Sequence, residues 1–241
     1  MRRVVVTGMG VISPVGNTVE TFWENLLAGR HGIGPITRFD TTDYKAKLAG
    51  EVRDFDPRAY MEKADMLRSD RYAQLGLAAA VQAVEQSGVI GTVPDERIGV
   101  YFGTGIGGIQ TFTDEHNKLL QRGPRRVSPY FVPMLISNMC AGTIAIRYHC
   151  KGAALPAVTA CASGANAIGE AVRAIRHGYA DVMITGGAEA AINEVGIAGF
   201  INMQALSVSE DPDAASLPFD RRRGGFVIAE GGAALVLEEY E

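Results

Sequence analysis

Short apolar runs alternate along the chain with longer segments of mixed character. Five of these runs, Val4–Thr7, Ile98–Gly103, Leu155–Thr159, Asp181–Gly186 and Ala233–Leu237, are enriched in β-branched residues and flanked by glycine, which favours strand over helix. Between them the period lengthens. Leu77, Val81 and Val84 share one helical face that ends near Gly88. A second helix is predicted from Pro133, well placed in a first turn, to about Arg147. A third begins directly after Cys161 and runs to His177, with Gly178 as its stop, and Val195–Met203 forms a short fourth. Strands alternating with helices argue an α/β fold, a five-stranded, mainly parallel sheet with helices on both faces. Residues 30–70, rich in charge and aromatics, are expected to hold a small hairpin and helices on the rim of that sheet. The polar stretch from Ser207 to Gly225 reads as a long loop. No repeat, low-complexity tract or linker divides the chain, so residues 1–241 are taken as one domain.

Composition narrows the function. A hydrophobic content of 47% in 241 residues is ample for a sizeable core, and 21% charged residues is ordinary for a globular chain. The net charge of −4 argues against any general attraction to nucleic acid or to an anionic membrane. No apolar run approaches the roughly 18 residues of a membrane span, and the opening MRRVVVTGMG is too short for a signal peptide, so a cytoplasmic location is expected. Three cysteines, Cys140, Cys150 and Cys161, are too few and too irregular for a disulfide framework or a zinc site. No metal is expected. They leave room for a reactive thiol in a reducing compartment.

Two glycine-rich turns test for nucleotide chemistry. Gly8-Met-Gly10 follows a strand but has Ser13 where a dinucleotide fingerprint needs its third glycine. Gly103, Gly105 and Gly108 satisfy that spacing. Yet the region about 20 residues on, where an acidic residue should end the next strand, is the basic GPRRVSPYF. Tight strand-to-helix turns are the better reading. Ala157-Val-Thr-Ala-Cys161-Ala-Ser-Gly-Ala is more informative. A buried strand ends, a cysteine follows, and small residues fill the first helical turn, which is the layout of a nucleophile elbow. Ala160, Ala162, Gly164 and Ala165 permit the close backbone approach such a turn needs. Unpaired N–H groups and the macrodipole at a helix start favour a thiolate and can donate to an oxyanion.

Taken together, Arg3-Val-Val-Val-Thr-Gly-Met-Gly, Ser13-Pro-Val-Gly-Asn, Gly103-Thr-Gly-Ile-Gly-Gly, Gly123-Pro-Arg-Arg-Val-Ser-Pro, Thr159-Ala-Cys-Ala-Ser-Gly, Gly186-Gly-Ala-Glu, Phe219-Asp and Gly225-Phe-Val-Ile-Ala-Glu-Gly resemble, in order, the motifs of a type II β-ketoacyl-[acyl carrier protein] synthase. The resemblance implies a thiolase-like fold and a condensing enzyme of fatty-acid biosynthesis. Cys161 would accept an acyl group, and the carbanion left when malonyl-[acyl carrier protein] loses carbon dioxide would attack it. It implies no bound cofactor. It also implies that Ile106 gates an acyl pocket that includes Ala160 and Phe200, and that Phe131 reaches a pocket across a homodimer interface. Carrier proteins of this family are acidic, which makes Arg125 and Arg126, or Lys63 and Arg68, the expected landing patch.

Relatives in this family are about twice as long, and the resemblance puts two catalytic histidines in their second half. His31, His116, His149 and His177 lie outside the matched motifs. The chain is therefore expected to be the amino-terminal half, incomplete alone for decarboxylation. The alternatives are a polyketide-type ketosynthase, a non-catalytic truncated homologue that acts as an interaction partner, and a related thiolase-fold acyltransferase.

Overall fold

The computed structural model describes residues 2–240. The chain opens with β1 (Val4–Ile12) and α1 (Val19–Leu27), forms a hairpin of β2 (Ile33–Pro35) and β3 (Leu48–Gly50), and passes through the short α2 (Lys63–Met66) into α3 (Arg71–Ser87). There follow β4 (Ile98–Gly103), α4 (Ile109–Arg122), α5 (Phe131–Leu135), α6 (Met139–Arg147) and β5 (Ala154–Ala157). The last third comprises α7 (Ser163–Arg176), β6 (Val182–Glu189), α8 (Glu194–Asn202) and β7 (Gly231–Glu239).

All five expected strands join one sheet, in the order β1-β7-β6-β4-β5. Four of its five strands run in one direction, the mainly parallel sheet expected. β4 runs parallel to β5 and β6, but β7 is antiparallel to both β1 and β6. The cause is the connection into β7. A parallel neighbour requires a crossover packed on the sheet, whereas the chain between α8 and β7 is mostly a long loop and brings β7 back from the end where β6 finishes.

Alternation along the strands feeds two apolar layers. Val182, Ile184 and Val236 face the cluster built with α3 and α6, while Met183 and Leu237 face Ala171 and Ile175 of α7. Helices therefore cover both faces, as expected. On the first face α3 lies unusually close to β1, because a Cβ on Gly8 or Gly10 would come within 1.9 Å of the carbonyl oxygen of Ala83 or Ala79. That contact explains Gly8-Met-Gly10 without a nucleotide.

The ends of α3 show how local sequence sets an element. Asp70 accepts the Tyr72 amide as N-cap, and Gly88, at φ 64°, ends the helix in the left-handed conformation. The helix predicted over 133–147 is in fact two helices, broken at Ile136 (ψ 139°). Tertiary partners take the carbonyls that would have continued it. Tyr72 donates its buried hydroxyl to Ile136 O at 2.7 Å, and Gly108 N donates to Leu135 O at 3.0 Å. The hairpin expected in residues 30–70 is β2–β3, and the stretch from Ser207 is irregular as read.

Two helices escape the apolar pattern. In α4 the buried residues are Thr111, Thr113 and Glu115, while Phe112 and Leu120 are exposed, so hydrophobic periodicity reports the wrong face. The α1 helix, capped by Thr18, buries no residue at all. Among the described residues no helix is long and apolar enough to cross a membrane.

Candidate active site

Cys161 sits between the end of β5 and the start of α7, with its side chain exposed. Ala160, just before it, has φ 53°. A left-handed alanine costs about 1–2 kcal/mol, so something must hold it there. Ser163 does. Its buried hydroxyl donates to Ala160 O at 2.6 Å and accepts the Thr159 amide at 2.9 Å. Asn166 adds a hydrogen bond from Nδ2 to Thr159 Oγ1 at 2.9 Å. The turn is thus fastened from the first residues of the helix it introduces. Ala162 at the N-cap supplies no side-chain acceptor and Ser163 N donates to Ala160 O at 3.1 Å, which leaves the Gly164 and Ala165 amides of α7 for solvent or a ligand.

Glycines seat this helix start on the sheet. A Cβ on Gly103 would lie 2.3 Å from the Ser163 carbonyl carbon, and one on Gly187 would lie 3.0 Å from Gly164 Cα. The Gly103 motif therefore serves close helix–strand packing at the first turn of the helix that follows the thiol.

The loop after Gly103 carries Ile106, which is 41% exposed. Glu189, at the end of β6, organises this loop, a role that the Gly-Gly-Ala-Glu motif does not by itself reveal. Its Oε2 accepts the amides of Gly105 (2.7 Å) and Ile106 (3.0 Å), and its Oε1 accepts the Thr104 hydroxyl (3.1 Å). Burial pushes the carboxyl above the ordinary carboxylate value, and the bonds from Gly105, Thr104 and Ile106 oppose that shift. The loop touches the elbow, since a Cβ on Gly105 would lie 3.4 Å from Ala160 O. Its far end rests on α5, where a Cβ on Gly108 would lie 2.2 Å from Met134 O.

The other expected pocket residues are more scattered. Phe131 is half-buried as the first residue of α5. Phe200 is half-buried in α8, edge-on to Phe226 with ring centroids 5.5 Å apart, in a cluster with Ile197, Leu206 and Ile109. The neighbours of Cys161 and Ile106 in the chain, Ala160 and Gly105, are brought together. Phe200 reaches them only through the cluster that includes Ile109, three residues beyond Ile106. Two surface depressions of about 360 and 350 Å³, one at Arg38–Phe39 and Ile192–Glu194, the other at Arg58–Lys63 and Arg147, lie away from the thiol.

The other two thiols differ sharply from Cys161. Cys140 is buried, its Sγ over Gly76, and burial raises its pKa far above the ordinary thiol range. Cys150 is half-buried and, mainly through burial, pushed up to about 11. The histidines are engaged elsewhere. His31 lies 2.8 Å from Asp213, His116 stacks on Phe112, His177 closes α7 beside Tyr179, and His149 follows α6 with φ 55°.

Lys63, Arg68, Arg125 and Arg126 are exposed, and among the described residues none lies within ion-pair distance of a carboxylate. The Arg68 guanidinium lies 5.0 Å from the Tyr130 ring, so the α2–α3 loop meets the segment that carries Arg125 and Arg126. Lys63 sits apart, beside Arg58 and Arg147.

A mixed sheet, a helix start seated on glycines and a strained turn presenting a thiol together describe the class of ketosynthase folds. Solved structures agree. "The ishigamide ketosynthase/chain length factor" superposes with a TM-score of 0.91 at 33% identity over 99% of this chain and 59% of that one. A β-ketoacyl synthase from Burkholderia phymatum gives 0.90 at 30% identity over all of this chain and 60% of its own. A type II polyketide ketosynthase in complex with its acyl carrier protein gives 0.84 at 30% identity, over 99% of this chain and 58% of that one. The chain belongs to the β-ketoacyl synthase family, with residues 1–241 matching its amino-terminal domain ("Beta-ketoacyl synthase, N-terminal domain"). Proteins named 3-oxoacyl-[acyl-carrier-protein] synthase 2 are 47% identical in Synechocystis and 48% identical in Staphylococcus aureus, over the whole of this chain. The chain spans 58% of the length of those relatives.

Proposed function

We propose that this chain supplies the acyl-bearing half of a condensing enzyme of fatty-acid biosynthesis, with Cys161 as the nucleophile. The observation that carries the reading is the Cys161 elbow, an exposed thiol on a left-handed turn at the uncapped start of α7. The Cys161 thiolate attacks the carbonyl of an acyl thioester, and collapse of the tetrahedral oxyanion expels the carrier's thiolate. Loss of carbon dioxide from a malonyl thioester then leaves an enolate. Its carbon attacks the acyl-Cys161 carbonyl, frees the thiol and leaves a β-keto chain two carbons longer. The chemistry calls on no cofactor. Free N–H groups at the start of α7 support the anionic states of the first step. The four histidines are engaged elsewhere and the chain spans 58% of its relatives' length, so it is read as the part that loads the acyl group, with condensation shared with further residues of the whole enzyme.

The partner for loading is an acidic acyl carrier protein, met by Arg68, Arg125 and Arg126, with Lys63 at the margin. Their freedom from carboxylate partners supports this, as does the carrier-bound ketosynthase among the structural relatives. Ile106, Ala160 and Phe200 line the path of the acyl chain, and Phe131 completes it across a homodimer. Identity of 47–48% to the 3-oxoacyl synthases, against 33% to the ishigamide ketosynthase, favours the fatty-acid substrate over the polyketide one.

Covalent labelling tests the assignment. Cerulenin, followed by peptide mapping, should place its adduct on Cys161, and Cys161→Ser should abolish acyl loading from an acyl thioester. An adduct on Cys150 or Cys140 with Cys161 untouched overturns the reading.

A further inference from the structure

Glu189 lies on the face of β6 that carries α7, two residues on from Gly187, which packs against Gly164. It closes β6 and stands against a loop whose backbone and hydroxyl donors converge on it. The Thr104 hydroxyl does double duty there, since its oxygen also accepts the Gly107 amide at 3.2 Å. The carboxylate therefore closes the loop into a tight turn, with Ile106 at its exposed tip and Gly105 against Ala160. A carboxylate is the only side chain of this size that can accept from all three donors without turning a donor of its own toward them.

We propose that Glu189 is a positioning residue that fixes how far Ile106 stands over the Cys161 elbow, and thereby sets the length of chain the thiol accepts. Its biological meaning rests on the reading of Cys161 as the acyl-bearing thiol, but the placement of the loop does not. Glu189→Gln keeps the volume but removes the charge that strengthens all three hydrogen bonds, and its N–H₂ can only donate to the Thr104 hydroxyl, which must then turn its own proton away. Thr104→Val removes a hydroxyl and keeps the shape, a milder loosening of the same clamp.

The test uses alkyl methanethiosulfonates, in which the Cys161 thiolate attacks the sulfenyl sulfur, a mixed disulfide forms and methanesulfinate leaves. Rates at Cys161 are read by mass spectrometry for the methyl and octyl reagents, on variants shown by circular dichroism to be folded. Glu189→Gln should shift the octyl-to-methyl rate ratio by about fivefold or more while the methyl rate stays within about twofold, the scale set by losing one hydrogen bond. Thr104→Val should shift it in the same direction by less, and it decides the matter if Glu189→Gln does not fold. Hydrogen exchange at the Gly105 and Ile106 amides should quicken in both. An unchanged ratio in a folded variant overturns the proposal. Failure of the native chain to take an acyl group from a thioester, with the ratio still shifted, removes the acyl-transfer reading and leaves the positioning role standing.

Discussion

The Ser163 hydroxyl donates to the carbonyl of Ala160 at 2.6 Å, so a residue inside α7 holds the strained residue that precedes the thiol. The strain at Ala160 and the aim of Cys161 are therefore linked through one buried oxygen. Removing it relaxes both.

Ser163→Ala leaves the Thr159 amide and the Ala160 carbonyl without their side-chain partner. Ala160 O keeps the Ser163 amide at 3.1 Å, and Thr159 and Ala160 are both exposed. The expected cost in urea unfolding is therefore about 0.5–1.5 kcal/mol, the net worth of a hydrogen bond whose partners can turn to water. Alkylation of Cys161 should slow in the same variant. A stability loss with unchanged Cys161 reactivity would separate the two roles.

Two glycine substitutions should diverge. At Gly103 a Cβ meets the Ser163 backbone at 2.3 Å, so Gly103→Ala should destabilise by about 1–3 kcal/mol through overpacking. At Gly169 a Cβ meets nothing outside the helix within 4 Å, so Gly169→Ala should be neutral or stabilise by up to about 1 kcal/mol. Thermal melts of the pair provide the comparison.

Iodoacetamide should modify the three thiols in the order Cys161, Cys150, Cys140. Cys150, pushed up to about 11, should react slowly at pH 8 and faster with each unit of pH until its thiol is ionised. Cys140, buried and held in its neutral form, should react only on unfolding. Quantitative peptide mapping at two pH values checks the order.

Asp181 joins the chain's start to the sheet through Arg97 and Arg2. Hydrogen bonds from Arg97, then from Arg2, hold its carboxyl below the ordinary value of 3.8. For a carboxyl depressed in the folded state, the stabilisation is complete above 3.8 and is lost as pH falls through the lower folded value. Asp181→Asn should therefore cost about 1 kcal/mol at pH 7, with the gap from the native chain closing in strong acid. Parallel unfolding curves from pH 7 to pH 2 measure it.

Much of this was legible in the sequence where one physical signal dominates. Strands β4 and β6 announce themselves because both their faces are covered, and the elbow because small residues must crowd a helix start. By contrast β5, expected to be buried, lies at the sheet edge with Leu155 52% exposed. The signal failed where hydrogen bonding replaces apolar packing. Helix α4 is keyed by Thr111 to Asp70 and by Glu115 to the Ser128 amide, contacts with no periodic apolar trace. Glu189 escapes local pattern for a related reason. A carboxylate closing a motif reads as surface charge until the loop that wraps it is seen. The direction of β7 depends on where a long loop returns, which local pattern does not encode.

Glu230, closing the glycine-rich run before β7, is buried and bound by Arg71 at 2.7 Å, by Arg38 and by the Val52 amide at 2.9 Å. Four stretches distant in sequence thus share one charge. None can come away without stranding a carboxylate or a guanidinium in a low-dielectric setting. Opening the hairpin segment, the first turn of α3 or the entry to β7 on its own therefore leaves the Glu230 carboxylate short of a partner, which favours their opening together.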